Sequence, residues 1–181
     1  MDTITNPRDP RLLAVAGLES AAARARDGRY LVEGPRLVRQ ALAAGVLRAA
    51  WLLDDLDDDA LAGELAAAGI DCLAAPARLG PRLISTSYRT RLGAVGAVER
   101  RVLPALPTAG LLLLAESIAD PRNVGVLVRT AEAAGAAAFG LSDDSADPWA
   151  RGAVRSSTGS LLRQRLYLAA DFPAELARLR A

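Results

Sequence analysis

The sequence predicts an α/β protein built on mostly parallel sheets, and three observations lead there. Short apolar runs alternate with helical patterns along the chain, as in strands joined by crossover helices. The run "LLLLAES" has no polar alternation, as expected of a strand buried on both faces. The 181 residues are 51% hydrophobic, enough for a packed core and too much for a disordered chain.

Taken in order, "DPRLLAVAGLESAAARARDG" predicts a first helix ending near Gly28, and "YLVEG" a short strand. "PRLVRQALAAG" opens with Pro35 and stops at Gly45, the asymmetry that favours proline at a helix start and glycine past its end. "LRAAWLLDD" is a strand, "DDALAGELAAAG" a helix and "DCLAA" a strand; "PARLGPRLISTS" is a helix made irregular by Pro81, and "LGAVGAVER" a strand. "RRVLPALPTAG" has prolines and no periodicity, the mark of a linker. Beyond it the alternation restarts: strand "LLLLAES", helix "NVGVLVRTAEAAG", strand "AAAFGLS", helix "DPWARGAVRSS", strand "QRLYLA", helix "FPAELARLRA". The expected domains are residues 1–103 and 111–181, with a linker at 104–110. Three parallel strands leave open sheet edges, so the second domain is expected to lean on a neighbour.

Composition removes several chemistries. Histidine is absent, which excludes the usual Ser-His-Asp and Cys-His nucleophile systems and histidine-ligated metals. One cysteine, Cys72, builds neither a disulfide framework nor a zinc site, so no metal is expected. Aromatic residues are 4%, too few for recognition by base stacking. No apolar run reaches membrane-spanning length and the N-terminus has no apolar secretory core, so a cytoplasmic location with no membrane partner is expected. There is no G-x-G-x-x-G after a strand and no Walker loop.

All 22 basic residues are arginine, always charged and shaped to fork onto phosphate. Net charge is only +1, so a general polyanion binder is not indicated. The charge is uneven: Asp54–Asp59 is acidic, whereas Pro76 to Pro107 holds six arginines (78, 82, 89, 91, 100 and 101) against Glu99. A nucleic acid can meet the basic stretches while the acidic patch faces away.

The stretch "DPRNVGVLVRTAEAAG", Asp120 to Gly135, carries the most chemistry. Asp120 before Pro121 is steered out of helix, so Asn123 is expected to cap the helix that follows. A helix N-terminus with free N–H groups suits an anion, and Gly125 lets a ligand backbone come close. At about 100° per residue Val124, Leu127, Val128 and Ala131 form the core stripe, with Arg122 and Arg129 together on the opposite side and Glu132 within reach of Arg129. That pair beside the helix mouth makes a phosphate site; an ordinary N-cap with two surface arginines is the competing reading. In "GAVRSSTGSLL", Arg155 and the hydroxyls around Ser157 make a turn that either holds phosphate or ribose or is a plain loop. Glu33-Gly34-Pro35, followed by Arg36, reads as a βα turn.

"LLLLAESIADPRNVGVLVRTAEAAGAAAFGLS" resembles the first signature motif of the SpoU (TrmH-like) RNA ribose 2'-O-methyltransferases of the SPOUT superfamily. "DPWARGAVRSSTGS" resembles the segment after it, and the N-terminal "ITNPRDPRLLAVAGLES…ARDGRYLVEGPRLVRQALAAG" resembles that family's accessory substrate-binding domain, a small ribosomal-protein-like α/β unit. The resemblance implies a SPOUT-type α/β domain with a parallel sheet behind that unit. It implies methyl transfer from S-adenosylmethionine to a ribose 2'-hydroxyl, with ribosomal RNA the expected partner. Asn123 and Arg129 match its catalytic positions. Arginine is too strong an acid to serve ordinarily as a base, so Arg129 is expected to grip the phosphate beside the target ribose. Glu33 and Arg36 match the accessory motif, and with Arg122, Arg155 and Ser157 are the expected RNA contacts. The family's two later motifs, one with glycine and glutamate and one reading "SLN", do not occur before Ala181. Only the first half of the SPOUT-type domain is therefore expected, with the knot region and donor pocket outside the chain and no cofactor-binding residue within it. The homodimer expected of the complete enzyme is not carried over. The alternatives are a non-catalytic RNA-binding protein that keeps the recognition domain, and a small-molecule α/β domain using the Asn123 helix mouth.

Overall fold

The computed structural model describes residues 2–84 and 91–180. Arg89 of the expected basic stretch, and residues 85–87 of the expected irregular helix, lie outside them. The chain forms two compact units, Met1–Arg100 and Arg101–Ala181.

The first unit holds strands β1 (Asp2–Thr3), β2 (Arg29–Glu33), β3 (Leu47–Leu53), β4 (Asp71–Ala75) and β5 (Ala94–Glu99) in the sheet order β1-β4-β3-β5-β2. Its helices are α1 (Pro10–Ala16), α2 (Ala21–Asp27), α3 (Pro35–Ala43), α4 (Asp59–Ala67) and the short α5 (Gly80–Leu83). The expectation of a mostly parallel sheet is corrected here. β4 runs parallel to β1 and β3, but β5 lies antiparallel between β3 and β2. The reason is general: a strand covered on both faces is an apolar run in either direction, and Ala94–Val98 is buried throughout. β1 was not foreseen, since two exposed residues leave no pattern to read.

The single first helix expected up to Gly28 is broken. Ser20 adopts extended geometry and caps α2, accepting the N–H of Ala23 at 3.1 Å. A 3-10 turn, Gly17–Glu19, bridges the gap. Serine favours this role because its hydroxyl reaches the orphan amide of a new helix. Arg24, buried, donates from Nη1 to the Leu18 carbonyl at 2.8 Å and also to that of Glu19, so the carbonyls freed by the break are satisfied. On one side of the sheet Ile4, Leu12, Val15, Trp51, Leu83 and Val95 form a continuous apolar cluster. Arg39 of α3 ties α4 in place by pairing with both Asp58 and Glu64.

The second unit is a parallel three-stranded sheet, β6 (Leu112–Ala115), β7 (Ala138–Ser142) and β8 (Leu166–Ala169), with β7 in the middle. Its helices are α6 (Pro121–Ala133), α7 (Arg151–Ser156) and α8 (Phe172–Arg180). The expectation that "LLLLAES" is buried on both faces is corrected: β6 is an edge strand and stays half-buried throughout, because one edge of the sheet is open there, whereas central β7 is buried at every residue. Residues ahead of β6 join the unit: the Leu103 N–H donates to the Leu166 carbonyl at 2.6 Å and Leu106 is buried.

Phe139 is fully buried on the central strand of this small unit. Phe139→Ala is expected to cost about 3–5 kcal/mol, read as a lower urea midpoint with an unchanged slope.

Candidate functional site

Helix α6 leaves β6 through the loop 116–120, at the carboxyl end of the parallel sheet where open α/β folds gather their ligands. The helix begins earlier than expected. Asp120, not Asn123, is the N-cap, and Pro121 takes the first helical position, where its missing N–H costs nothing. The Asp120 carboxylate accepts the Arg122 N–H at 2.8 Å, while its carbonyl accepts the N–H of Asn123 at 3.0 Å and of Val124 at 3.2 Å. The expected free-amide cradle is thus already filled by Asp120. The same carboxylate takes the Arg122 guanidinium at 2.8 Å. The Arg122 side-chain and backbone donors hold Asp120 well below the usual carboxylate range.

What the helix offers outward is its side chains. Asn123, Val126, Arg129 and Thr130 are exposed, opposite a buried stripe of Val124, Val128 and Ala131. Among the described residues the Asn123 side chain and the Arg129 guanidinium have no hydrogen-bond or ion-pair partner. Glu132 does not reach back to Arg129. It pairs with Arg163, which holds its carboxyl below the ordinary value.

Gly125 is buried and faces α7. A Cβ there would sit 2.2 Å from the Ala153 carbonyl oxygen and 2.1 Å from Ser156 Oγ. Its bareness serves a helix–helix contact, not the approach of a ligand. Ser156 Oγ donates across this contact to the Arg122 carbonyl at 2.8 Å. The expected donor-rich turn is corrected too: Ser157 is fully buried, its hydroxyl donates to the Val154 carbonyl at 2.8 Å, and it cannot meet an RNA strand. Arg155 is exposed on the last turn of α7. In the other unit Arg36 is exposed on the first turn of α3 and Glu33 is half-buried at the end of β2. The structure thus gathers Arg122, Asn123, Arg129 and Arg155 on the α6–α7 pair, and carries Glu33 and Arg36 on the first unit.

A polar cluster at the carboxyl ends of β6 and β7 was missed. Asp144 accepts the hydroxyls of Ser117 at 2.6 Å and Ser142 at 2.5 Å, and these two serines hold its carboxyl below the normal range. The only sequence signal was the turn-like "SDDS", which does not say where it docks. For Asp120 the signal was present: an aspartate before a proline opening a helical pattern is itself a cap signature. Among the described residues no group of side chains could hold a metal ion, and no helix is long and apolar enough to cross a membrane.

Residues 110–181 match the SpoU rRNA Methylase family. The chain is 27% identical over 161 residues to a 23S rRNA (guanosine(2553)-2'-O)-methyltransferase of Bacillus subtilis, covering 88% of this chain and 62% of that protein. It is 32% identical to an uncharacterized tRNA/rRNA methyltransferase of Mycobacterium tuberculosis, covering 98% of this chain and 64% of the relative. The crystal structure of a SpoU methyltransferase from Streptomyces viridochromogenes in complex with AdoMet superposes with a TM-score of 0.81 at 26% identity, over 94% of this chain and 66% of that one. The chain therefore spans less than two thirds of the length of these relatives.

Two outcomes are expected. Gly125→Ala forces α6 off α7 against a backbone carbonyl, an overpacking cost of about 1–3 kcal/mol visible as a lower melting temperature. Asp120→Asn keeps the cap, since asparagine serves as well there, but removes a carboxylate whose folded pKa is depressed. A depressed carboxylate stabilises above its unfolded pKa of about 3.9 and loses that contribution as pH falls through its lower folded value. The variant should therefore lose less stability than the parent between neutral pH and pH 3, measured by denaturant unfolding at each pH.

Proposed function

We propose, from the premise that residues 110–181 of this chain belong to the SpoU rRNA methylase family, that the chain supplies the RNA-gripping half of an S-adenosylmethionine-dependent RNA ribose 2'-O-methyltransferase acting on ribosomal RNA. One observation carries the reading. Asn123 and Arg129 stand exposed on α6 with their polar heads uncommitted among the described residues. A guanidinium without a carboxylate partner is ready to fork onto a phosphate. An uncommitted amide both donates and accepts, which suits a ribose hydroxyl.

The roles follow from the partners each side chain has. Arg129 grips the phosphate beside the target ribose. Asn123, nearer the helix mouth, orients the ribose. Arg122 contributes less than its position suggests, because Asp120 competes with phosphate for it. Asp120 also places a negative charge where a free helix N-terminus would have drawn one, so the backbone amides take no part in binding RNA. Arg155, Arg36 and Glu33 extend the contact on their own surfaces. Catalysis of this kind depends on placing the 2'-oxygen in line with an already activated methyl group, and rigid placement lowers the barrier.

The fit to S-adenosylmethionine is poor at the residues present. At the carboxyl ends of β6 and β7 the polar side chains Ser117, Ser142, Asp144 and Ser145 are spent on one another. They offer no uncommitted donor and acceptor set for a nucleoside and an amino-acid tail, so no step is routed through the donor here. That same commitment favours RNA binding without catalysis as the reading for this chain taken alone.

Titration of a short single-stranded RNA, followed by fluorescence anisotropy across a salt series, tests the assignment. Arg129→Ala should weaken binding and flatten the salt slope by about 0.7, the loss of one phosphate contact. Unchanged affinity and slope would remove Arg129 from the site.

A further inference from the structure

We infer that Asp144 is a positioning residue for the RNA site: through Ser117 it holds the loop 116–120 in a strained conformation and so fixes where α6 begins. The inference rests on the RNA reading of α6 given above. Ser117 has φ +54°, the left-handed region that residues with a side chain rarely adopt and that persists only where the surroundings hold it. Four contacts from the end of β7 and the loop after it hold Ser117 and Ile118, and a fifth bond ties their partners together. Asp144 Oδ2 accepts the Ser117 hydroxyl at 2.6 Å, and Asp144 Oδ1 accepts the Ser142 hydroxyl at 2.5 Å. Ser142 Oγ in turn accepts the Ser117 N–H at 2.9 Å. One residue on, Ser145 Oγ accepts the Ile118 N–H at 3.0 Å, and the Ala146 N–H donates to the Ile118 carbonyl at 2.7 Å.

The proton count closes on one assignment. Ser142 donates to Asp144, so at its 2.9 Å contact with Ser145 it must accept. Ser145 then donates to Ser142 and accepts from Ile118. Every hydroxyl proton is used once, and Asp144 is the acceptor on which the chain ends. Without it the Ser117 and Ser142 hydroxyls both lose their acceptor, and Ser117 is held at positive φ only by its N–H bond to Ser142 and the two contacts at Ile118.

Asp144 does not touch RNA itself: both of its carboxylate oxygens are taken by serine hydroxyls. Its effect runs through geometry: Ser117 precedes the cap Asp120 by three residues, and Asn123 follows the cap by three. The body of α6 is held separately, by its buried stripe and the Gly125 contact with α7. Loss of Asp144 therefore disturbs the lead-in and the first turn while leaving the helix packed.

The test uses the full 181-residue chain and the same RNA titration. Asp144→Ala should weaken binding about tenfold, because small misplacements of a positioned group are costly. The salt slope should not change, since no phosphate contact is removed. Glycine accepts φ +54° without a Cβ penalty, so the double variant Asp144→Ala/Ser117→Gly should bind several-fold more tightly than Asp144→Ala. A merely structural role, or a direct contact, predicts no such rescue. Asp144→Asn, which keeps the volume but accepts through one oxygen, should fall between parent and alanine, and covers the case in which the alanine variant does not fold. Parental affinity in both single variants, or no rescue in the double, overturns the inference. Arg129→Ala separates the two failures: if it too binds like the parent, the RNA reading has fallen; if it weakens binding and the Asp144 variants do not, only the positioning role has.

Discussion

Helix α6 can lie against α7 at backbone distance only because residue 125 has no side chain. A single added carbon would stand 2.2 Å from a carbonyl of α7, well inside contact distance, and neither helix can yield without losing its own packing. From this contact the rest of the second unit follows. It brings Ser156 onto the Arg122 carbonyl, it turns Val124, Val128 and Ala131 into the core, and it leaves the opposite face, with Asn123 and Arg129, as open surface. A close-packed interface of this kind does not deform gradually, so the exposed face is held in one orientation.

The electrostatics of the helix mouth run against the simplest expectation for a helix that meets an anion. A helix start commonly binds phosphate with its free amides. Here Asp120 occupies that place twice over, with its carbonyl and with its carboxylate, and takes Arg122 as well. The cationic character passes from Arg122 to Arg129, about two turns further on, whose neighbour Glu132 is drawn off by Arg163. Asp120 is matched to Arg122, Glu132 to Arg163 and Asp144 to two serine hydroxyls, and Arg129, assigned to phosphate, has no carboxylate partner among the described residues. In a chain with 22 arginines and almost as many acids, this partition says more than the net charge.

The first unit shows the same economy of charge. Arg24 is buried, where an unpaired charge would be costly, yet it sits over the carbonyls released by the break between α1 and α2. Arg39 bridges Asp58 and Glu64 and joins α3 to α4. These arginines are spent on the fold, whereas Arg36, one turn from Arg39 on the same helix, points to solvent. Composition alone could not separate the two uses, because a guanidinium that caps a carbonyl and one that awaits a phosphate are the same residue.

The sequence by itself determined the element order apart from β1 and the break between α1 and α2, the restart of the β/α alternation after Gly110, the strand around Phe139 and the core stripe of α6. These are one-dimensional patterns of polarity, and burial writes them directly into the chain. A contiguous motif also carried the resemblance to the SpoU family, whose model matches residues 110–181. Tertiary structure alone decided the direction of β5, because an apolar run reads the same both ways. It decided that Gly125 answers to α7 and not to a ligand, since the neighbour that fills its space lies about thirty residues on in the sequence. It turned the Ser157 hydroxyl inward, moved the cap from Asn123 to Asp120, and joined Ser117 to Asp144. Partners distant in sequence leave no periodic trace; only folding shows which polar atoms are already satisfied and which remain free to bind.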